Sequence, residues 1–201
     1  MCRIARFLLF LAFLTGAVTA ASAERRVALV IGNGAYKVSP LANPGNDAEA
    51  VAAALRALGF ATVMLRKDLG TEAMRAALME LAREATGADV AVVFFAGHGT
   101  EREGHNYLIP VDAALEKASD LALQAIALST VIEQLGGVRK LRLVILDACR
   151  NNRFPLAGAK RSTTRSANVG RGLGRIDARG RDTLIVFSAE PGQEAVDTLV
   201  S

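Results

Sequence analysis

Five short apolar runs, rich in β-branched residues, set the tightest limit on what this 201-residue chain can fold into. The first, Val27 to Ile31, is continuously apolar and is stopped by Gly32 and Gly34. A run of that kind suits a strand buried on both faces. "ATVML" from Ala61, "VAVVFF" from Val90, "LRLVILDAC" from Leu141 and "TLIVFSA" from Thr183 repeat the pattern. Helical periodicity fills the intervals. In "NDAEAVAAALRALGF" the residues Ala50, Val51, Ala54, Leu55 and Leu58 recur at helical spacing, with Asn46 or Asp47 as cap and Gly59 as stop. "TEAMRAALMELAREATG" predicts a helix capped by Thr71 and ended by Gly87. "TVIEQLGG" opens with capping-box spacing, Thr130 to Glu133. Strands that alternate with helices predict an α/β sandwich around a mostly parallel sheet.

The segment before the first strand reads differently. "MCRIARFLLFLAFLTGAVTAASAERR" has Arg3 and Arg6, an apolar run from Phe7, and small residues ending Ala21-Ser22-Ala23. That is the order of a secretory signal peptide, so residues 1–23 are expected to be removed and the protein exported to a periplasmic or extracellular space. The run is short for a membrane span, which needs roughly 20 apolar residues. The alternative is retention of the segment as an anchor. Cleavage would remove two arginines and no acid, taking the net charge from +4 to +2. So small an excess gives no reason to expect a nucleic-acid partner.

Cysteine usage narrows the chemistry. Of two cysteines, Cys2 leaves with the leader, and Cys149 alone cannot form an intrachain disulfide. It is either a small buried hydrophobe or a reactive group. Its place decides between them, because working residues in open α/β sheets gather beyond the carboxyl ends of the strands. The third run ends in "AGHG", with His98 between Gly97 and Gly99, and the fourth ends in Cys149. If those strands are neighbours, about 5 Å apart, imidazole and thiol form a nucleophile pair in which histidine promotes the thiolate. The flanking glycines would let the backbone turn and approach a substrate. Amides near His98 and of Cys149 would bind an acyl-transfer oxyanion. His105, in the polar segment "TEREGHNY", is the rival base, and a solvated turn is its expected setting.

These residues carry a family resemblance. "VVFFAGHG", "NYLIPVDA", "LVILDACRNN" and "IVFSAEPGQEA", with "ALVIGNGAY" and "LANPGNDAEAVAAALRALGF" before them, resemble the caspase-like cysteine peptidases, specifically the bacterial relatives of metacaspases. The likeness covers nearly all of residues 24–201. It implies a caspase–haemoglobinase fold with strand order 2-1-3-4-5-6. It also implies a catalytic dyad of His98 and Cys149, an oxyanion hole of the Gly99 and Cys149 amides, and peptide bonds as substrate. Caspases that cut after Asp carry Gln two residues before the cysteine, whereas this chain has Asp147, as metacaspases that cut after Arg or Lys do. With Asp47 of the "ND" pair, Asp147 is the expected holder of a substrate guanidinium. The alternative is that Asp47 only caps or charges a helix N-terminus and that Asp147 only orients its loop.

Residues 155–182, "PLAGAKRSTTRSANVGRGLGRIDARGRD", lack apolar periodicity and predict a basic loop. In the family the segment after the cysteine is often cut during activation, which makes Arg161, Arg165, Arg171, Arg175 and Arg179 candidate self-cleavage sites. The chain stops at Ser201, where relatives usually continue through a sixth strand and a helix. That predicts a missing sixth strand, and an exposed edge open to dimerisation. Calcium activates many metacaspases, but no dense acidic cluster identifies a site and there is no zinc motif, so no cofactor is expected. Two readings from other classes compete. One is a catalytically inactive binding module on the same fold. The other is a nucleotide-binding protein, for which "GNGAYK" offers Gly32 and Gly34 but Lys37 at the third glycine position, with Arg66 or Asp68 toward a ribose.

Overall fold

The computed structural model describes residues 24–117, 119–149 and 182–188. Its strands are β1 (Arg26–Gly32), β2 (Thr62–Lys67), β3 (Val90–Arg102), β4 (His105–Leu108), β5 (Ile126–Ala127), β6 (Leu141–Cys149) and β7 (Thr183–Phe187). Its helices are α1 (Pro44–Ala57), α2 (Thr71–Ala85), α3 (Asp120–Gln124) and α4 (Leu128–Glu133). The five expected runs form one parallel sheet in the order β2-β1-β3-β6-β7. Counted along the chain, that is the expected 2-1-3-4-5-6 as far as its fifth position; the expected absence of a sixth strand falls after residue 188, outside the described residues. The basic loop, its arginines up to Arg179 and the N-terminal leader lie outside the described residues.

Strand alternation sorts the core into two layers. Val27, Leu29, Ile31, Val93, Phe95, Val144 and Leu146 face α2 and α4 in one cluster. Ala28, Val30, Val92 and Phe94 face Ala48 and Ala52 of α1 in the other, with Leu143 and Ile145 packed against them. The α1 face is the expected one only in part: Val51 and Leu55 pack against the core, but Ala48 and Ala52 are its buried residues, while Ala50, Ala54 and Leu58 are exposed. Alanines that read alike in sequence are separated only by which side the sheet covers. The close fit is set by Gly32, where a Cβ would stand 2.2 Å from the Pro44 carbonyl oxygen and 2.8 Å from Ala48 Cβ.

Helix starts were also misplaced by sequence. Asn43, not Asn46 or Asp47, precedes α1, because Pro44 enters at the first turn, where its missing N–H costs nothing. Gly70 precedes α2, and Thr71 instead donates through its N–H (2.8 Å) and hydroxyl (3.0 Å) to Asp112 Oδ1 from the loop after β4. Thr130 lies inside α4, which Ala127 precedes with no side-chain cap, so no capping box forms.

The largest departure is in β3. It runs 13 residues, beyond the expected "VAVVFF", and changes partners on the way. Arg26–Gly32 of β1 accompany it only to Ala96, and β6 accompanies it to His98. From Gly99 it pairs antiparallel with β4, which in turn pairs with β5. Glu103 (φ 54°) and Gly104 (φ 81°) form the two-residue hairpin turn, the left-handed pair such turns need. The segment that reads as a polar turn is thus a β-arm, and His105 opens its return strand, exposed.

Candidate functional site

His98 sits where β3 leaves the parallel sheet and enters the arm. It is buried, at 4% exposure. Across the ladder its register partner is Cys149, the last residue of β6. The two sequence-chosen residues are therefore neighbours on adjacent parallel strands, at the carboxyl end of the sheet.

The imidazole is anchored. Its Nε2 lies 2.7 Å from the Ser39 main-chain oxygen. A carbonyl only accepts, so Nε2 carries the proton of that bond, and in the neutral ring Nδ1 is then the basic nitrogen. Ser39 reaches this position in the left-handed region, φ 55°. The loop that presents it is closed at its base, where the Gly34 carbonyl accepts from Tyr36 N (2.8 Å) and Leu41 N (3.0 Å). From the same loop Tyr36 packs against His98, ring centroids 4.4 Å apart and tilted by 52°. Nothing in the composition of "AYKVSPL" pointed to Ser39. Tyr36 left a faint signal, as one of only two tyrosines in the chain, standing just after a strand-end glycine pair.

Gly97 and Gly99 have different reasons to be glycine. Gly97 lies within β3 at φ 156°, a conformation side-chain-bearing residues rarely adopt, and a Cβ there would come 2.6 Å from Tyr36 Oη and 2.9 Å from Phe95 Cζ. Its smallness makes room for Tyr36, which corrects the expectation of a sharp turn toward substrate. Gly99 pairs with Leu108 of β4. Ala96 O accepts from Asn33 N and His98 O accepts from Ile109 N, so both carbonyls face the β1 flank. Backbone alternation turns the Gly99 N–H to the opposite flank, where β6 ends.

The two acids come to the same end and face of the sheet. Asp147 stands in register with Ala96, which stands in register with Gly32, about two strand spacings or roughly 10 Å away. α1 begins over Gly32, and Asp47 lies in its first turn, partly buried. Asp147 Oδ1 accepts from Ser188 Oγ at 2.5 Å, just past β7. Sequence did not single out Ser188.

The glycine loop after β1 is not arranged as a phosphate cradle. The N–H groups of Gly34 and Ala35 both donate to Asp68 Oδ1 at 2.8 Å, and Arg66 pairs with Glu80 at 2.7 Å. The amides that the nucleotide reading requires are thus committed to Asp68 at the end of β2, and Arg66 is committed to α2. Among the described residues no cluster of three potential metal ligands occurs, and no helix is long and apolar enough to cross a membrane.

A mostly parallel α/β sheet thus carries His98 and Cys149 in register at its carboxyl end. The caspase-domain model of the C14 peptidases matches residues 25–200, and the chain belongs to that family. It is 35% identical over 131 residues to human mucosa-associated lymphoid tissue lymphoma translocation protein 1, a match that takes in 64% of this chain and 15% of that protein. The chain thus spans a small part of that relative's length. Among solved structures, the Drosophila initiator caspase Dronc superposes with a TM-score of 0.49 at 13% identity, over 61% of this chain and 48% of that one. A protein of Geobacter sulfurreducens gives a TM-score of 0.45 at 21% identity, over 62% and 50% of the two chains.

Proposed function

We propose that this caspase-domain chain is an exported cysteine endopeptidase with His98 as general base, Cys149 as nucleophile and a preference for Arg or Lys before the cleaved bond. The observation that carries the reading is the register pair His98↔Cys149, with the histidine buried and held through Nε2 by Ser39. Nδ1 takes the thiol proton, and the thiolate attacks the peptide carbonyl carbon. The amides of Gly99 and Cys149 hold the oxyanion. Inside a ladder that reaches Cys149 such amides serve the strands, so they become donors to substrate where β3 and β6 part. The imidazolium then protonates the leaving amine. A water, deprotonated by His98, hydrolyses the thioester and restores both residues.

Asp47 and Asp147 supply the selectivity, two carboxylates at one end of one sheet face against a guanidinium or ammonium. The arginines between 155 and 182 are substrates for such a pocket, which makes self-processing part of the reading. The leader composition supports export, and the reading needs no metal or cofactor. Among the described residues β7 is the outer strand of the sheet, and its edge is where a second copy would pair.

The test is cleavage of paired fluorogenic peptides ending in Arg or Asp by the chain from Glu24 to Ser201, with and without calcium. Cleavage after Arg that disappears in Cys149→Ala and falls at least about 100-fold in His98→Ala is the expected result, in the range general-base catalysis contributes. Cleavage after Asp would keep the dyad and reject the acidic pocket. A folded protein that cleaves neither peptide would favour a binding role.

A further inference from the structure

β1 ends its pairing with β3 at Gly32↔Ala96, two residues before His98. From there the N–H of His98 has no strand among the described residues to receive it, although the residue is buried. Tyr36 fills the gap. Its hydroxyl accepts from His98 N at 2.9 Å and donates to the Ile109 carbonyl at 2.9 Å. Ile109 N donates in turn to the His98 carbonyl at 3.0 Å. One hydroxyl thereby closes a ring of three hydrogen bonds in which both main-chain groups of His98 are satisfied, while the ring carrying it packs on the imidazole.

The surroundings are built to keep it there. Tyr36 is 4% exposed and belongs to a small core with Ile109, Leu115, Leu121 and Ala125, apart from the two main layers. Gly97 leaves it the volume that any side chain would occupy. A tyrosine needed only to fill that core would not need its hydroxyl aimed at a backbone amide of the histidine and a carbonyl of the arm.

We infer that Tyr36 is a positioning residue for the proposed reaction: it takes the place of a strand at His98 and fixes the imidazole so that Nε2 meets Ser39 and Nδ1 acts on Cys149. This rests on the dyad reading. Tyr36 touches no reacting atom; it acts through His98. Displacement of a catalytic group by about 1 Å costs on the order of 100-fold, so loss of the hydroxyl lowers turnover rather than substrate binding.

The experiment compares wild type, Tyr36→Phe and His98→Ala for kcat and KM on an Arg peptide and for the rate of Cys149 alkylation by iodoacetamide. Rates are expressed per folded molecule, with folding followed by circular dichroism. The expected result for Tyr36→Phe is a kcat lower by about 10- to 100-fold with KM within about twofold. Alkylation should slow alongside kcat near pH 7 and return to the wild-type rate near pH 10, where a thiol ionises without a base. Wild-type kcat and alkylation in a less stable Tyr36→Phe would overturn the inference and leave the dyad standing. Failure of the dyad itself has another signature: wild type and His98→Ala would alkylate equally fast, and neither would turn over. Should Tyr36→Phe not fold, 3-fluorotyrosine in the otherwise wild-type chain replaces it. The fluorine resonance at position 36 should then move with the acid limb of kcat/KM, and a resonance blind to that limb overturns the inference.

Discussion

The Nε2 atom of His98 lies 2.7 Å from the main-chain oxygen of Ser39, a residue 59 positions earlier in the chain. A carbonyl cannot be mutated away, but the backbone that aims it can be. Ser39 has φ 55°, which glycine adopts without strain and proline cannot adopt. Ser39→Gly should keep kcat/KM within about threefold, whereas Ser39→Pro should lower it by about 100-fold or more, as a misplaced catalytic group does. Peptidase kinetics on both variants, each checked for folding, decide it. Equal activity in the two would remove Ser39 from the site.

Asp147 is oriented by Ser188, whose hydroxyl donates to it at 2.5 Å. Asp147→Asn keeps the shape and an oxygen for Ser188 but removes the charge. A charge-assisted hydrogen bond to a guanidinium is worth about 1.5–3 kcal/mol, so kcat/KM for an Arg peptide should fall by about 10- to 100-fold. The same substitution should leave a peptide with a neutral residue at that place almost unchanged. A uniform loss on both peptides would make Asp147 a structural acid.

Thr100, two residues beyond His98 in β3, is buried, and its hydroxyl has no hydrogen-bond partner among the described residues. An unpaired buried hydroxyl is a cost, typically about 1–3 kcal/mol. Thr100→Val, of the same shape, should therefore raise stability by about 1 kcal/mol in urea unfolding. Destabilisation instead would show that the hydroxyl has a partner in solution.

Asp89 joins three strands at the opposite end of the sheet. Its carboxylate accepts from Arg25 N at 3.0 Å and lies 3.4 Å from Lys140 Nζ. The Arg25 amide, with Lys140 and Arg139 adding to it against a smaller opposing effect of burial, holds this carboxyl below the usual carboxylate range. The Lys140 ammonium is raised in turn, by its bonds to Glu24 and Asp89. A depressed carboxyl stabilises the fold above its unfolded-state pKa, and that contribution is lost as pH falls through the folded-state value. The raised lysine contributes below its unfolded-state pKa and ceases to as pH climbs through the folded one. Asp89→Ala should thus be destabilised in urea near pH 7, with the gap from wild type closing as pH falls below the unfolded carboxyl's value of about 4 and through the lower folded one. A gap that stays constant over that range would assign the effect to packing.

Much of the architecture was legible because burial on both faces writes itself into sequence. Val27–Ile31, Val90–Phe95 and Leu141–Leu146 are apolar at nearly every position, and a parallel sheet is what such runs can make. Their end points put His98 and Cys149 at the carboxyl edge. Helix boundaries were less legible. Asn46, Asp47, Thr71 and Thr130 all have cap chemistry, and only the direction from which the chain arrives decides which residue is used.

By itself, then, the sequence determined a two-layered α/β sheet, its strand order through the resemblance, and the pairing of one histidine with one cysteine. These follow from local apolar pattern and from residue types too few to be placed otherwise. Tertiary structure alone decided that β3 continues past its apolar run into a hairpin arm, that Ser39 offers its carbonyl to His98, and that Tyr36 takes over where β1 stops. Those choices turn on main-chain hydrogen bonds between segments far apart in the chain. Backbone groups are the same in every residue but proline, so no pattern of side chains announces where their partners will be.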